Sequence, residues 1–459
     1  MPMDRDASHS GHSDDSDAPL LGVRGCLIDT PHLGRLRERK DTAILIENGR
    51  IVDIGAYNLL HKKASSKARW LHNARAAIFP GLIDLHSHLP QYPAVAKGRS
   101  ELLPWLRQTV FPLEREFGEA KARKESMAFF RELARHGTTT AMLYGSVNEA
   151  ACEAAFEAAE KSGLRVIMGM LMMDIASYGA SQPKKVMSIA LLESERLCEK
   201  WHGARAGMLE YAFSPRFAVS CSEKLMKGAA ELAAKHSAFL QMHLAENFEE
   251  LEKVKNQFSW AADYADVYDK CGLLTPRTVL SHCIHLSDRE MDVVAASGAR
   301  VAHCPTANLF LGSGVMPMEK MHDRGIPIGL GSGVGAGTEL NLWQVMRSAI
   351  ESQKMRSYYD GDARVPSPAE VFYMATQGAA EVLGKENMIG SLDVGKDADF
   401  IVVDYGAFLP YRKTARQQRD ELSAEDLLSL CIYRGGPHGT METFVRGNSV
   451  YRAAEPDLF

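Results

Sequence analysis

Cysteine is sparse in this sequence, and none of its eight cysteines forms a C-x-x-C pair. A chain of 459 residues can bury a large apolar core without cross-links, so we expect reduced thiols in a cytoplasmic protein. No apolar run approaches the roughly 18 residues that a membrane helix requires. No charged segment followed by an apolar one marks a secretory signal at the start of the chain. We therefore expect neither membrane insertion nor secretion.

Positive charge is not in excess, since 53 lysines and arginines face 58 aspartates and glutamates and the formal net charge is −5. Proteins that bind nucleic-acid backbones need a positive surface, so we expect no nucleic-acid partner. Large apolar side chains are nearly absent from the first 17 residues, which are rich in Ser, Asp and His. Such a segment buries too little surface to offset its ordering entropy, and residues 1–18 are predicted to be a disordered tail.

Short antiparallel strands are predicted near both ends of the chain. Residues 43–55 contain two apolar stretches joined at Asn48-Gly49, a dipeptide typical of two-residue hairpin turns. Near the C-terminus, β-branched and aromatic side chains flank a second predicted turn at Gly447-Asn448. We expect the terminal segments to pair into one small β-sandwich domain, formed by residues 19–75 and 386–459.

The stretch between these segments alternates short apolar runs with longer amphipathic patterns. The patterns at 125–137, 148–163 and 222–236 predict helices, and two of them end at a glycine. Strands that alternate with helices form a parallel sheet, and eight such units close into a barrel. Residues 76–385 are therefore predicted to form a (β/α)8 TIM-type barrel. Its predicted strands are residues 76–86, 139–145, 165–172, 209–216, 239–246, 278–285, 300–305 and 327–333.

Histidines lie at the predicted carboxyl ends of several barrel strands, where such barrels carry their active sites. The first strand ends in His86-Ser87-His88, whose two imidazoles face the same side and can bind one ion. The fifth strand carries His243 and the sixth carries His282. Three strands that place imidazoles at one rim predict a metal site.

Two further polar residues, Glu246 and His303, lie near this rim, and each could be functional or structural. Glu246 follows His243 by three residues, and its carboxylate would stand near the activated water and transfer a proton. The alternative is a surface glutamate that opens a helix near Asn247; we favour proton transfer. His303, in the seventh strand, is expected to be a structural histidine.

Several longer sequence motifs lie between about residues 40 and 452. They are PGLIDLHSHLPQY (80–92), ELLPWLRQTVFPLEREF (101–117), HGTTTA (136–141), SPRFAVSCSEKLM (214–226), HLAEN (243–247), VYDKCGLLT (267–275), VAHCPTANLFLGSG (301–314) and GLGSGVGAG (329–337). On these segments the sequence resembles the amidohydrolase superfamily and, within it, the guanine deaminases. The motif PGLIDLHSH marks only the superfamily, whereas Gln91-Tyr92 and SPRFAVSCS are more specific to guanine deaminases.

The resemblance implies a mononuclear metal centre. His86, His88 and His243 would ligate one Zn²⁺ per chain, with iron as the other candidate. His282 would hold or polarise the attacking water, and Glu246 would shuttle a proton to the purine ring. Water would attack C2 of guanine, and loss of ammonia would give xanthine.

The resemblance also implies a substrate pocket and a homodimer. Gln91, Arg216 and Phe217 match positions that grip and stack the purine, beside His88, His243 and Glu246. A planar purine suits the aromatic face of Phe217 and the planar guanidinium of Arg216. The amide of Gln91 can pair with donor and acceptor edges of guanine.

The sequence departs from the family at the end of the eighth strand. Members carry an aspartate there, in a segment close to G-[ST]-D-V, and this chain has Gly331-Ser332-Gly333-Val334. The missing carboxylate would ligate the metal and accept the proton of the attacking water, so catalysis is expected to be strongly impaired. Three interpretations stay open: an inactivating substitution made to trap a ligand, a natural paralogue with weak or altered activity, and a purine-binding protein without turnover.

Other functions compete with guanine deamination. A deaminase of a pterin, cytosine or triazine ring would use the same metal site, but the SPRF segment argues against it. A purine-binding or partner-binding protein without turnover is favoured by Gly333. A binuclear amidohydrolase is less well supported, because no lysine occupies a suitable position in the fourth strand to bridge two metals.

Overall fold

A computed structural model describes residues 20–64, 68–98, 101–175, 183–361, 363–410 and 422–454. The predicted tail, 1–18, lies outside the described residues. The strands are β1 (Leu20–His32), β2 (Arg35–Glu47), β3 (Arg50–Ala56), β4 (Ala68–Pro80), β5 (Leu82–His88), β6 (Thr138–Tyr144), β7 (Arg165–Gly169), β8 (Leu171–Met172), β9 (Leu209–Pro215), β10 (Phe239–Leu244), β11 (Thr278–His282), β12 (Arg300–His303), β13 (Ile328–Leu330), β14 (Phe400–Val403), β15 (Thr440–Val445) and β16 (Asn448–Arg452).

The α-helical segments connect these strands and cover the sheets. They span Tyr57–Ala64, Leu102–Trp105, Phe111–Glu116, Glu119–Arg135, Glu149–Ser162, Pro183–Trp201, Ala204–Gly207, Glu223–His236, Phe248–Gln257, Tyr264–Lys270, Asp288–Ser297, Pro305–Phe310, Met318–Asp323, Leu342–Asp360, Pro368–Met374, Gln377–Val382 and Ala424–Arg434. A π-helical turn at Leu106–Val110 joins the second of these helices to the third. Within the described ranges, no helix is both long and apolar enough to span a bilayer.

Eight parallel strands form a nearly closed barrel, and the predicted fold class is confirmed. Their order is β5-β6-β7-β9-β10-β11-β12-β13, with β8 paired to β9. Just beyond β13, the N–H of Gly333 donates to the carbonyl of His86 over 2.8 Å, which brings the last strand back to the first. The strands are almost entirely buried, as expected for a parallel sheet that helices cover. Each of the eight predicted segments contains all or part of a barrel strand.

Local sequence signals account for the helix boundaries. The side chain of Asn148 accepts from the N–H of Ala151 and caps the helix that begins at Glu149. That helix ends at Gly163, whose φ of 73° is the left-handed conformation that glycine adopts without strain. Ser222 caps the helix that begins at Glu223 in the same way. The predicted helices therefore occur within a few residues of their expected bounds, including the one expected at 125–137, which begins earlier.

A separate seven-stranded sheet gathers the terminal segments, in the order β16-β15-β14-β4-β1-β2-β3. The predicted first barrel strand, 76–86, was wrong as one strand. Its first part belongs to β4, which pairs with β14, and the barrel begins only at Leu82. The chain passes between the sheets at Gly81, where a Cβ would lie 2.1 Å from the Thr139 hydroxyl. The β15–β16 turn also falls one residue early, at Arg446-Gly447, both with positive φ.

Candidate active site

Four histidines meet at the carboxyl ends of three barrel strands. His86 and His88 end β5, His243 lies in β10, and His282 ends β11. One ring nitrogen each from His86, His88 and His243 lies within 4.8 Å of the others, and the Nε2 atoms of His88 and His243 are 3.2 Å apart. The ring of His282 stacks on that of His243 with centroids 5.4 Å apart. All four side chains are buried, so this cluster is held inside the protein.

Hydrogen bonds at Nδ1 orient three of these rings. The Nδ1 atom of His86 is 2.7 Å from the Ser281 hydroxyl, and the other two rings bond to oxygens that can only accept. The Nδ1–H of His243 donates to the carbonyl oxygen of Arg216 over 2.8 Å. The Nδ1–H of His282 donates to Oδ1 of Asn308, also over 2.8 Å. A bond of this kind fixes the tautomer and leaves the lone pair on Nε2, as histidines that bind metals require. Both rings therefore present an acceptor nitrogen to the cluster.

The imidazoles of the cluster are neutral. Burial lowers the pKa of His86, His88 and His243 well below the usual value, and repulsion between neighbouring imidazolium charges lowers it further. Burial also lowers the pKa of His282 to about 4. A neutral imidazole is the form that binds a metal ion, so no proton has to be displaced from the cluster near neutral pH.

Glu246 lies beside this cluster rather than on the surface. Its side chain is buried, and its Oε2 is 3.6 Å from Nε2 of His282. Burial raises the pKa of Glu246 to about 8, so the metal-free protein holds it protonated at neutral pH. Glu250 lies behind it, accepting from the N–H of Glu246 over 2.8 Å and from the Tyr264 hydroxyl over 2.6 Å. Glu246 thus places a protonated carboxyl group beside His282 in the metal-free protein.

The raised pKa of Glu246 predicts a loss of stability at alkaline pH. The folded metal-free protein keeps this proton up to about pH 8, whereas an exposed glutamate releases it near 4.5. Proton binding therefore favours the folded state, and this contribution is lost as the pH rises through 8. Between pH 7 and pH 9 we expect the parent chain to lose about 1 kcal/mol more unfolding free energy than Glu246→Gln. Denaturant titrations of both proteins at the two pH values measure the difference, and equal losses would contradict the raised pKa.

A cavity opens onto the histidine cluster, with about 370 Å³ of space between atoms when its open mouth is included. It brings together all nine site residues that the sequence predicts. Apolar side chains from the segment after β5 form much of its remaining wall. The lining residues are His86, His88, Gln91, Leu102, Trp105, Leu106, Arg216, Phe217, His243, Glu246, His282, Leu311, Gly333 and Ala336.

A buried glutamate that the sequence analysis missed joins two of the pocket residues. Glu114 accepts from Nε2 of Gln91 and from Nη1 of Arg216, each over 2.7 Å. All three side chains are buried. The carboxylate therefore compensates the guanidinium charge and fixes which way the amide of Gln91 faces. Its only sequence signal is its place in the FPLEREF segment, where it reads as one acidic residue of a surface helix.

A tyrosine at the same rim was also missed. Tyr144 ends β6, and its ring stacks on His88 with centroids 4.4 Å apart and an interplanar angle of 11°. Its position at the end of the second barrel strand was a usable signal, because every barrel strand end faces the same rim. Tyr144 therefore packs against one face of the His88 ring.

Gly333 borders the cavity in a conformation suited to glycine. Its φ is +65°, and a Cβ there would lie 2.7 Å from the Cβ of Ala307 and 3.3 Å from the Cβ of Cys304. Aspartate and asparagine tolerate this φ better than other side chains do, yet the contact with Ala307 is too short for any of them. An aspartate at 333 therefore needs the backbone near Ala307 to shift by a few tenths of an ångström.

The chain is similar to proteins of one family along nearly all of its length. Residues 77–433 match the amidohydrolase family. Guanine deaminase of Escherichia coli K12 is 33% identical over 447 residues, covering 94% of this chain and 98% of that protein. Guanine deaminase of Rattus norvegicus is 32% identical over 374 residues, covering 81% and 82%.

Solved structures agree with the sequence comparisons. The structure of E. coli guanine deaminase superposes with a TM-score of 0.85 at 31% identity, covering 95% of this chain and all of that one. The structure of guanine deaminase from C. acetobutylicum, with guanine bound in its active site, gives a TM-score of 0.86 at 30% identity and covers 94% and 100%. The chain therefore belongs to the amidohydrolase family, and guanine deaminases that it matches over most of their length are among its relatives.

Proposed function

We propose that this pocket binds guanine for hydrolytic deamination, in which water replaces the amino group at C2 and xanthine and ammonia are formed. The observation that carries the proposal is that one cavity brings together four buried imidazoles, the buried Glu246 carboxyl and the side chains of Gln91, Arg216 and Phe217. The relative from C. acetobutylicum has guanine in its active site, and that similarity supports the choice of ring.

The donor set fits a single metal ion. His86, His88 and His243 supply three neutral nitrogens within 4.8 Å of one another, which suits tetrahedral Zn²⁺ and leaves one position open. Imidazole nitrogens also suit iron, so either metal fits. When bound, the ion supplies Lewis-acid activation of a water molecule.

The remaining residues bind guanine and move protons. Arg216 and Phe217 offer a guanidinium plane and an aromatic face to the purine, and Gln91 offers an oriented amide. His282, whose Nε2 is an acceptor, can hold the attacking water by accepting one of its protons in a hydrogen bond. Glu246 donates its proton to a ring nitrogen beside C2 as water adds there. The carboxylate so formed takes up the proton that the added water releases and passes it to the amino group, so that the C2–N bond breaks and ammonia leaves; the proton of the remaining C2 hydroxyl restores the acid.

Gly333 is proposed to impair this reaction strongly while leaving the fold and pocket intact. It lines the cavity but has no side chain that could accept the proton of the attacking water. The alternative function, purine binding without turnover, rests on this same residue. Ser332 does not replace a carboxylate, because its hydroxyl is a weak base and lies 3.4 Å from the carbonyl of His86.

Measuring ammonia release tests both functions. The parent chain is expected to be slower than Gly333→Asp by on the order of 100-fold or more, because general-base catalysis contributes about that factor. The pair Gly333→Asp with Ala307→Gly removes the steric contact and is expected to be the most active. Gly333→Asn is the matched control, since it has the same shape without the base.

Each outcome separates the two functions. Activity restored by aspartate but not by asparagine supports an impaired deaminase. Tight guanine binding with no turnover in the double variant supports a binding protein. Full activity in the parent chain would overturn the proposed impairment.

The domain division into 19–75 with 386–459 and 76–385, the homodimer and the cytoplasmic location stay predictions. Analytical ultracentrifugation of the purified chain tests the homodimer directly.

A further inference from the structure

A thiol lies beside the histidine cluster on the side where Gly333 lacks a side chain. The Sγ of Cys304 and one nitrogen each of His86 and His282 lie within 4.8 Å of one another. All three residues are buried. The Sγ of Cys304 lies 3.6 Å from the carbonyl oxygen of Ala302, a weak interaction for a thiol. His86 thus belongs both to the proposed metal site, with His88 and His243, and to the group that contains Cys304.

We propose that Cys304 supplies a fourth protein ligand to the metal in this chain. The inference rests on the metal site proposed above and names a donor within it. Three imidazoles are neutral, so a divalent ion held by them alone keeps its full charge in a buried pocket, which is costly. A thiolate offsets one unit of that charge. Cys304 would hold the ion as a thiolate, and its proton would pass to solvent when the metal binds.

Gly333 makes room for this ligand. A side chain at 333 would begin 3.3 Å from the Cβ of Cys304 and would occupy the space next to the thiol. With glycine there, rotation about the Cα–Cβ bond of Cys304 meets no competing side chain from residue 333. Zinc sites with three histidines or with mixed sulfur and nitrogen ligands are both common, so the resulting donor set is chemically ordinary.

Other cysteines serve as controls. Cys283 follows His282 directly and is also buried, but its Sγ contacts only the carbonyls of Leu280 and Ser281, both at 3.9 Å. It is absent from every group of described residues that could hold a metal. Cys283→Ala therefore removes a buried thiol near the site without removing the proposed ligand.

X-ray absorption spectroscopy of the zinc-loaded full-length protein tests the assignment. We expect one sulfur scatterer at about 2.3 Å from zinc in the parent chain and in Cys283→Ala, and only nitrogen and oxygen scatterers in Cys304→Ala. With Co²⁺ in place of zinc, we expect a thiolate-to-cobalt charge-transfer band in the parent chain and in Cys283→Ala, and no such band in Cys304→Ala. Zinc affinity should fall by roughly tenfold or more in Cys304→Ala.

The results that overturn the proposal are distinct from those that overturn the function. Zinc bound without any sulfur in the parent chain refutes the Cys304 assignment and leaves the metal site standing. A sulfur signal that persists in Cys304→Ala refutes it as well. A parent chain that binds no zinc refutes both the ligand and the metal site. The parent spectrum decides the question even if the Cys304 variant fails to fold.

Discussion

Replacing Glu114 with glutamine is expected to weaken guanine binding about 100-fold while leaving the metal content unchanged. Glu114 accepts a charge-assisted hydrogen bond from Arg216 and a second hydrogen bond from Gln91, each over 2.7 Å. Removing the charge breaks the buried ion pair between Glu114 and Arg216, and breaking such a pair costs on the order of 3 kcal/mol. Arg216 and Gln91 then lose the orientation in which they meet the purine. Isothermal titration with guanine, together with metal analysis, measures both quantities.

Glu116→Gln is the matched control, because this residue lies on the same helix with 70% of its side chain exposed. We expect no change in guanine affinity for it. Glu114→Asp retains the charge and should recover part of the affinity. A merely structural role would lower the thermal midpoint of Glu114→Gln without a selective change in binding. Unchanged guanine affinity in a folded Glu114→Gln protein would refute the positioning role.

The histidine cluster could be predicted because its information is local. His86 and His88 alternate on one strand, and His243 and His282 stand at the ends of their own strands. Barrel geometry brings all carboxyl ends of the strands to one rim, so naming the strand ends is enough to gather these side chains. No contact between distant segments had to be known in advance.

The role of Glu114 depends on contacts that no local pattern contains. It is 23 residues from Gln91 and 102 residues from Arg216 in the sequence. Its helix, Phe111–Glu116, has the charge pattern of a surface segment. The contacts of buried Glu114 with Gln91 and Arg216 form only when distant parts of the chain pack together. The division of 76–86 between two sheets at Gly81 could not be predicted either, because one apolar run continues from β4 into β5.

Only one of the two consequences of Gly333 could be predicted from the sequence. The missing carboxylate could be predicted from the motif. The contact with Ala307 could not, because it depends on how the helix Pro305–Phe310, which follows β12, packs against the turn after β13. This contact changes the design of the reversion, because a single aspartate substitution introduces a base and a steric clash together.

Replacing His243 with alanine is expected to abolish metal binding and the stabilisation that metal provides. Its Nε2 lies 3.2 Å from Nε2 of His88, so its removal leaves two of the three proposed nitrogen ligands. Zinc at a free concentration 1,000 times its dissociation constant stabilises a protein by about 4 kcal/mol, provided the unfolded chain does not bind it. We expect the parent chain to show a stabilisation of this order on zinc addition and His243→Ala to show none. Thermal unfolding with and without zinc, combined with metal analysis, measures the effect without relying on turnover.

His303→Ala provides the control for cavity formation. His303 ends the neighbouring strand β12 and is equally buried, but neither of its ring nitrogens has a hydrogen-bond partner within the described part of the chain. It also belongs to no described group of possible metal ligands. Both variants lose a buried imidazole, so their metal-free stabilities should fall by comparable amounts. Only His243→Ala should lose the response to zinc, because only His243 directs a nitrogen at the cluster. If His303→Ala also loses zinc binding, the ion lies deeper in the barrel than His86, His88 and His243 imply, and the ligand set must be redrawn around β12.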